Sequence, residues 1–289
     1  MYLLNNNMEF KFDSIGLITK EELSVKTLEI LDQPLTDISN SEALSLALSC
    51  IDLTTLDGND NFKVIKDLCD KATSYQNIEK GIPSVAAVCV YSNFIPEVKK
   101  LLFGKGIKLA CVAGGFPSGQ GLLESRIFEV RIAKEAGADE IDIIFPRGLL
   151  FAGEYNAAFD EICMMRKACS GLTLKVILET GEMSNPLDIC RAAEISIFAG
   201  ADFIKTSTGK TTIGATPEAL WIMLKLIKDY NILTGKKIGI KPSGGIGEPE
   251  TALNCIKLIS SVPGKDWLNN SLFRIGASRL ADKIYQKLC

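Results

Sequence analysis

Ala199-Gly200-Ala201-Asp202-Phe203-Ile204-Lys205-Thr206-Ser207-Thr208-Gly209-Lys210 is the stretch that decides the fold of this chain. Ala199-Gly200-Ala201-Asp202 reads as a helix stop with the glycine in a left-handed conformation. The apolar run over 201–206 then reads as a buried strand, and Gly209 bends the loop that follows it. Ala136-Gly137-Ala138-Asp139 repeats the same stop ahead of another apolar run. Outward from these two units, residues 48–53, 84–90, 108–113, 139–145, 173–178, 201–206, 237–241 and 272–276 read as strands. Helical periodicity falls at 59–72, 95–104, 121–136, 156–169, 185–199, 217–230, 249–261 and 278–288. Thr216-Pro217-Glu218 supplies a capping hydroxyl, a first-turn proline and an acid at the positive helix end, and Ser184 before Asn185-Pro186 does the same. Strand–helix alternation repeated eight times predicts an α/β fold, a single (β/α)8 TIM barrel. A doubly wound sheet has the same alternation, but no G-x-G-x-x-G follows the first strand.

The barrel is expected over 41–289, behind an N-terminal extension over 1–40. Thr19-Lys20-Glu21-Glu22 fits a capping box, and Leu23, Val25, Leu28, Ile30 and Leu31 supply an apolar face, which predicts a helix packed over the bottom of the barrel. Residues 1–12 are expected to be disordered.

Composition narrows the chemistry. The 289 residues are 47% hydrophobic, enough for one large core, and the formal charge is −3 with no basic block, so neither nucleic acid nor an anionic membrane is an expected partner. No apolar run reaches the ~20 residues that span a bilayer, and the first residues lack a secretory signal, so a cytoplasmic location is expected. The nine cysteines form no C-x-x-C pair and read as reduced, buried thiols. Histidine is absent, which excludes serine–histidine triads, histidine-ligated metals and imidazole acid–base work. Lysine, carboxylates, cysteine, tyrosine and water are left to move protons.

Two lysines close apolar strands that precede glycine-bearing loops: Lys205, and Lys241 in Gly239-Ile240-Lys241-Pro242-Ser243-Gly244-Gly245. On neighbouring parallel strands, about 4.8 Å apart, their ammonium groups would meet in an apolar scaffold, where repulsion and desolvation both favour a neutral, nucleophilic amine. Asp142, between Ile141 and Ile143, points into the barrel if the isoleucines point out; it reads equally as a functional carboxylate or as an ion pair holding the sheet. Asp52 reads on pattern alone as a turn residue. Lys175, early in its strand, reads as structural. Gly209-Lys210, Gly244-Gly245 and Gly276-Ala277-Ser278 follow the sixth, seventh and eighth strands, where such barrels cradle phosphate on backbone N–H groups; tight turns are the alternative reading.

These motifs, with Ile51-Asp52-Leu53-Thr54-Thr55-Leu56, Val85-Ala86-Ala87-Val88-Cys89-Val90-Tyr91, Gly115-Phe116-Pro117-Ser118-Gly119, Glu140-Ile141-Asp142-Ile143, Glu179-Thr180-Gly181-Glu182 and Phe273-Arg274-Ile275-Gly276-Ala277-Ser278, resemble the deoxyribose-phosphate aldolases, a class I aldolase family. The resemblance covers nearly the whole barrel. It implies reversible cleavage of a deoxyribose phosphate through a lysine Schiff base, with no metal or organic cofactor. It further implies Lys205 as the imine-forming residue, Lys241 as the amine that lowers its pKa and joins Asp142 in proton relay, and Asp52 as a group placing water or a substrate hydroxyl. Substrate contacts are implied at Thr54, Cys89, Thr208, Gly209, Lys210, Gly244, Gly245, Gly276 and Ser278. Arg279 stands where many members carry a second serine, and no arginine follows Gly244-Gly245, so Arg279 is a candidate for the missing phosphate contact. Tyr285 does not match the tyrosine with which some members end. Another Schiff-base aldolase or transaldolase, and a non-catalytic sugar-phosphate-binding barrel, are the alternatives. A homodimer is allowed, though no apolar stripe specifies one.

Overall fold

The computed structural model describes residues 18–35 and 38–289; the disorder expected over 1–12 lies outside them. The chain runs α1 (Lys20–Leu31), α2 (Asn40–Ser49), β1 (Ile51–Thr54), α3 (Phe62–Ser74), β2 (Ala87–Tyr91), α4 (Ile95–Leu101), β3 (Lys108–Val112), α5 (Leu123–Ala136), β4 (Glu140–Ile144) and α6 (Arg147–Phe151). It continues with α7 (Tyr155–Ala168), β5 (Thr173–Ile177), α8 (Pro186–Phe198), β6 (Phe203–Lys205), α9 (Pro217–Thr234), β7 (Gly239–Lys241), α10 (Pro249–Ser261), β8 (Ile275–Ala277) and α11 (Leu280–Leu288).

All eight strands are parallel, each beside its sequence neighbour, and β1 also pairs with β8. Parallel bridges Ile240–Phe273 and Ser243–Gly276 join β7 to β8 and close the barrel. Its outward side chains are almost uniformly aliphatic, with Leu53, Val88, Ile141, Val176, Ile204 and Ile240 buried beneath the helices. Period-two alternation therefore turns Asp52, Cys89, Asp142, Lys175, Lys205 and Lys241 inward. Gly137 and Gly200 take the expected left-handed geometry, with φ of 102° and 98°.

The extension differs from expectation in place rather than kind. The capping box at Thr19 forms, with Thr19 Oγ1 accepting from Glu22 N and Glu22 Oε2 accepting from Thr19 N. Helix α1 lies on the outer ring against α9 and α10, not over the barrel bottom. Ser24 donates to Glu218 at 3.0 Å, and Lys257 donates to Leu31 O. A helix seated on two others buries a narrow strip, so Leu23 is covered while Val25 and Leu28 are 54% and 56% exposed. Helix α2, with its own capping box at Ser39, replaces the first half of the strand expected over 48–53. Among the described residues no helix is long and apolar enough to cross a membrane.

Candidate active site

Strands β6 and β7 place Lys205 opposite Lys241 in register. Both Nζ atoms donate to the same Asp142 oxygen, Oδ2, at 2.9 and 2.7 Å. The predicted pair therefore exists, and Asp142 reaches it from β4, two strands from β6. Asp52 is not the turn residue its local pattern suggests. It is fully buried, with Oδ2 2.5 Å from Lys241 Nζ and Oδ1 accepting from Arg274 at 2.7 Å. Lys175 belongs to the same cluster: its Nζ lies 2.6 Å from Glu140 and 2.9 Å from Asp142. Arg274 forks onto Glu140 at 2.7 and 3.1 Å. Glu140 and Arg274 complete the cluster beyond the residues the motifs point to; the sequence signal for each is a charged residue at an inward register position. Gly276 makes room for the cluster, since a side chain there would sit 2.7 Å from Ser243 Cβ and 3.4 Å from Lys241 Cε.

Four potential cations (Lys175, Lys205, Lys241, Arg274) thus face three carboxylates (Asp52, Glu140, Asp142). Electroneutrality in so dry a site favours the loss of one proton. Burial would raise the Asp52 and Asp142 carboxyls, but their lysine and arginine neighbours outweigh it and hold both below the usual carboxylate range. Burial would lower Lys175 and Lys241 too, yet each faces two or more carboxylates and ends above the ordinary lysine value. Only Lys205 is pushed down: burial is the main cause, Asp142 opposes it, and Lys241 adds repulsion. Desolvation thus leads, with the neighbouring amine second.

Lys205 is also the lysine of the pair that opens to the barrel mouth. It lines a cavity of about 430 Å³ formed by the loops after β1, β6, β7 and β8, whereas Lys241 lies beneath. Thr54, Thr208, Gly209 and Lys210 line that cavity. Gly244, Gly245, Gly276, Ser278 and the exposed Arg279 line it too. Gly209, Gly244 and Gly245 all have φ of 78°, the left-handed geometry that builds anion-binding concavities from backbone N–H groups. Lys210 bonds Asp57 at 2.9 Å at the rim. Cys89 does not line that cavity; it sits in an apolar inner cluster with Leu56, Ala110 and Val112, within electrostatic reach of Lys241, Asp142 and Lys205, and burial raises its thiol. Tyr285 packs edge-on against Tyr75 at 5.5 Å on the outer helices.

A family model for the DeoC/LacD aldolases matches residues 46–256. The deoxyribose-phosphate aldolase of Mus musculus is 42% identical over 253 residues, covering 84% of this chain and 79% of its own. That of Homo sapiens is 43% identical with the same coverage. Among solved structures, the tetrameric deoxyribose phosphate aldolase of Aeropyrum pernix superposes with a TM-score of 0.67 at 25% identity, over 93% of this chain and 98% of its own.

Proposed function

Because the chain belongs to the DeoC/LacD family of aldolases, we propose that it cleaves 2-deoxy-D-ribose 5-phosphate reversibly to D-glyceraldehyde 3-phosphate and acetaldehyde, with Lys205 as the covalent residue. The observation that carries the assignment is the asymmetry of the two lysines: Lys205 alone is lowered, and Lys205 alone of the pair lines the cavity.

The neutral Lys205 amine adds to the C1 aldehyde of the open-chain sugar, and loss of water gives an imine. Acetaldehyde carries two carbons, so the bond that breaks is C2–C3. As a base takes the C3 hydroxyl proton, the electron pair of that bond moves toward the protonated imine, leaving an enamine and releasing glyceraldehyde 3-phosphate. Protonation at C2 and addition of water then return acetaldehyde and free Lys205. Asp142 and Lys241 stand next to the reacting nitrogen and carry these protons. Asp52 has cations at both oxygens and acts through Lys241. The glycine N–H groups after β6 and β7, Lys210, Ser278 and Arg279 hold the phosphate at the mouth.

Borohydride reduction in the presence of acetaldehyde, followed by peptide mass mapping, is expected to add a two-carbon group to Lys205. A label on Lys241 or Lys175 instead would overturn the assignment.

A further inference from the structure

Glu179, between β5 and α8, is the one residue other than glycine with a left-handed backbone among the described residues, at φ 61° and ψ 57°. Such a conformation persists only where surrounding contacts impose it, and it concentrates at functional sites. Here the hydrogen bonds run mainly to the loop after β6. The buried carboxylate accepts from Thr208 N at 3.2 Å, Thr208 Oγ1 at 2.5 Å and Thr211 Oγ1 at 3.1 Å. Arg147, on α6, approaches the same carboxylate at 3.4 Å and Glu182 at 3.1 Å. Thr180 N donates to Thr206 O, and Gly181 lies so close to Ile213 O that a Cβ would sit 2.2 Å from it. The loop after β5 therefore grips the loop after β6 from 206 to 213.

Lys205 is held without the Glu179 side chain, in part by Leu178 N donating to its carbonyl. Thr206 N donates to Lys241 O, and Thr206 Oγ1 exchanges hydrogen bonds with the Ser243 backbone at 3.0 Å each way. Loss of the Glu179 side chain would free the 208–211 segment and leave the amine in place.

We infer that Glu179 is a positioning residue that locks Thr208-Gly209-Lys210 in the shape that receives the substrate's phosphate, without touching substrate itself. The inference rests on the proposed aldolase reading, because it assigns the phosphate end of that substrate to this loop. It predicts a cost tied to the phosphate group and absent from imine chemistry.

Glu179→Gly suits the left-handed backbone and removes the acceptor. The expected result is a KM for deoxyribose 5-phosphate raised about tenfold, with kcat/KM for unphosphorylated 2-deoxyribose and borohydride trapping by acetaldehyde within about twofold of the parent chain. Glu179→Gln keeps an acceptor oxygen and is expected to recover part of the KM. An equal loss on both sugars, or an unchanged KM, overturns the inference. If Glu179→Gly does not fold, Thr211→Val decides: it removes a single donor to the carboxylate, and a rise of about two- to threefold in KM confined to the phosphorylated sugar supports the role, while none overturns it. Failure of the parent chain to cleave deoxyribose 5-phosphate at all would strike the aldolase reading first, and this inference with it; an unselective Glu179 variant of an active chain strikes only the loop's role.

Discussion

Lys205 and Lys241 hold the same atom of Asp142 yet diverge in proton affinity, and the divergence follows from counting neighbours. Lys241 has Asp142 and Asp52 within reach, while Lys205 has Asp142 alone together with the repulsion of Lys241. Lys241→Leu removes that repulsion and leaves Asp142 with one fewer cation, so the Lys205 amine should regain proton affinity toward the ordinary lysine value of ~10.4. Less of it is neutral at any given pH, and the acidic limb of the kcat/KM profile is expected to move to higher pH. Turnover at neutral pH should fall by about 10²- to 10³-fold, counting both the lost nucleophile and the lost proton relay. A pH–rate profile of the variant checks this, and an unmoved limb with near-normal rates would contradict the two-amine account. The pair was legible in sequence because each lysine ends an apolar run and precedes a glycine loop. Membership of Asp52 and Lys175 in the cluster is not legible from local pattern, because Asp52's pattern suits a turn and Lys175, read as structural, stands early in its strand. Both join the cluster through partners far away in sequence, such as Arg274, 222 positions from Asp52.

Helix α11 begins at the cavity, directly after Gly276-Ala277-Ser278, and Arg279 is its N-cap residue. A helix N-terminus attracts phosphate through its free N–H groups, and a guanidinium there adds a charge that can bind two phosphate oxygens at once. Arg279→Ser keeps the turn and removes the charge. The expected outcome is a KM for deoxyribose 5-phosphate raised about five- to tenfold, with the unphosphorylated sugar unaffected. Steady-state kinetics on both sugars checks it, and equal effects on the two would count against a phosphate contact. Element boundaries were legible to within a few residues where caps are strong, as at Thr216-Pro217 and Asn185-Pro186. They were not legible at α2, whose apolar end over 46–48 runs straight into Ile51-Asp52-Leu53, since a short apolar run fits a buried helix and a buried strand equally. The Ser39–Glu42 capping box was the overlooked signal. For α1 the capping signal located the helix, but its partners, α9 and α10, come from the far end of the chain.

Closure of the barrel turns seven ionisable side chains into one buried cluster, and its charge balance bears on stability as well as chemistry. The eightfold alternation made closure legible, but the balance was not, because it depends on which inward residues share a layer, and register sets that. Lys205 is the one lysine of the cluster that burial lowers, and without its charge three cations face three carboxylates. Lys205→Met is therefore expected to cost little, within about 1 kcal/mol in denaturant unfolding at neutral pH, because it removes the cation the cluster holds least strongly. Asp142→Asn should cost far more, about 3–5 kcal/mol, because three lysines lose their shared carboxylate. The pH dependence has a fixed sign. Asp142 is held below its ordinary value when folded, so its stabilisation is complete above the unfolded carboxylate pKa of ~3.9 and is lost as pH falls from there toward the folded value. The gap between parent and Asp142→Asn should accordingly be wide at neutral pH and narrow below about pH 4. Urea titrations of both proteins across that range measure it. A gap that stayed constant with pH would mean that the asparagine acts through shape alone, and a Lys205→Met cost as large as that of Asp142→Asn would mean that Lys205 is charged in the resting protein.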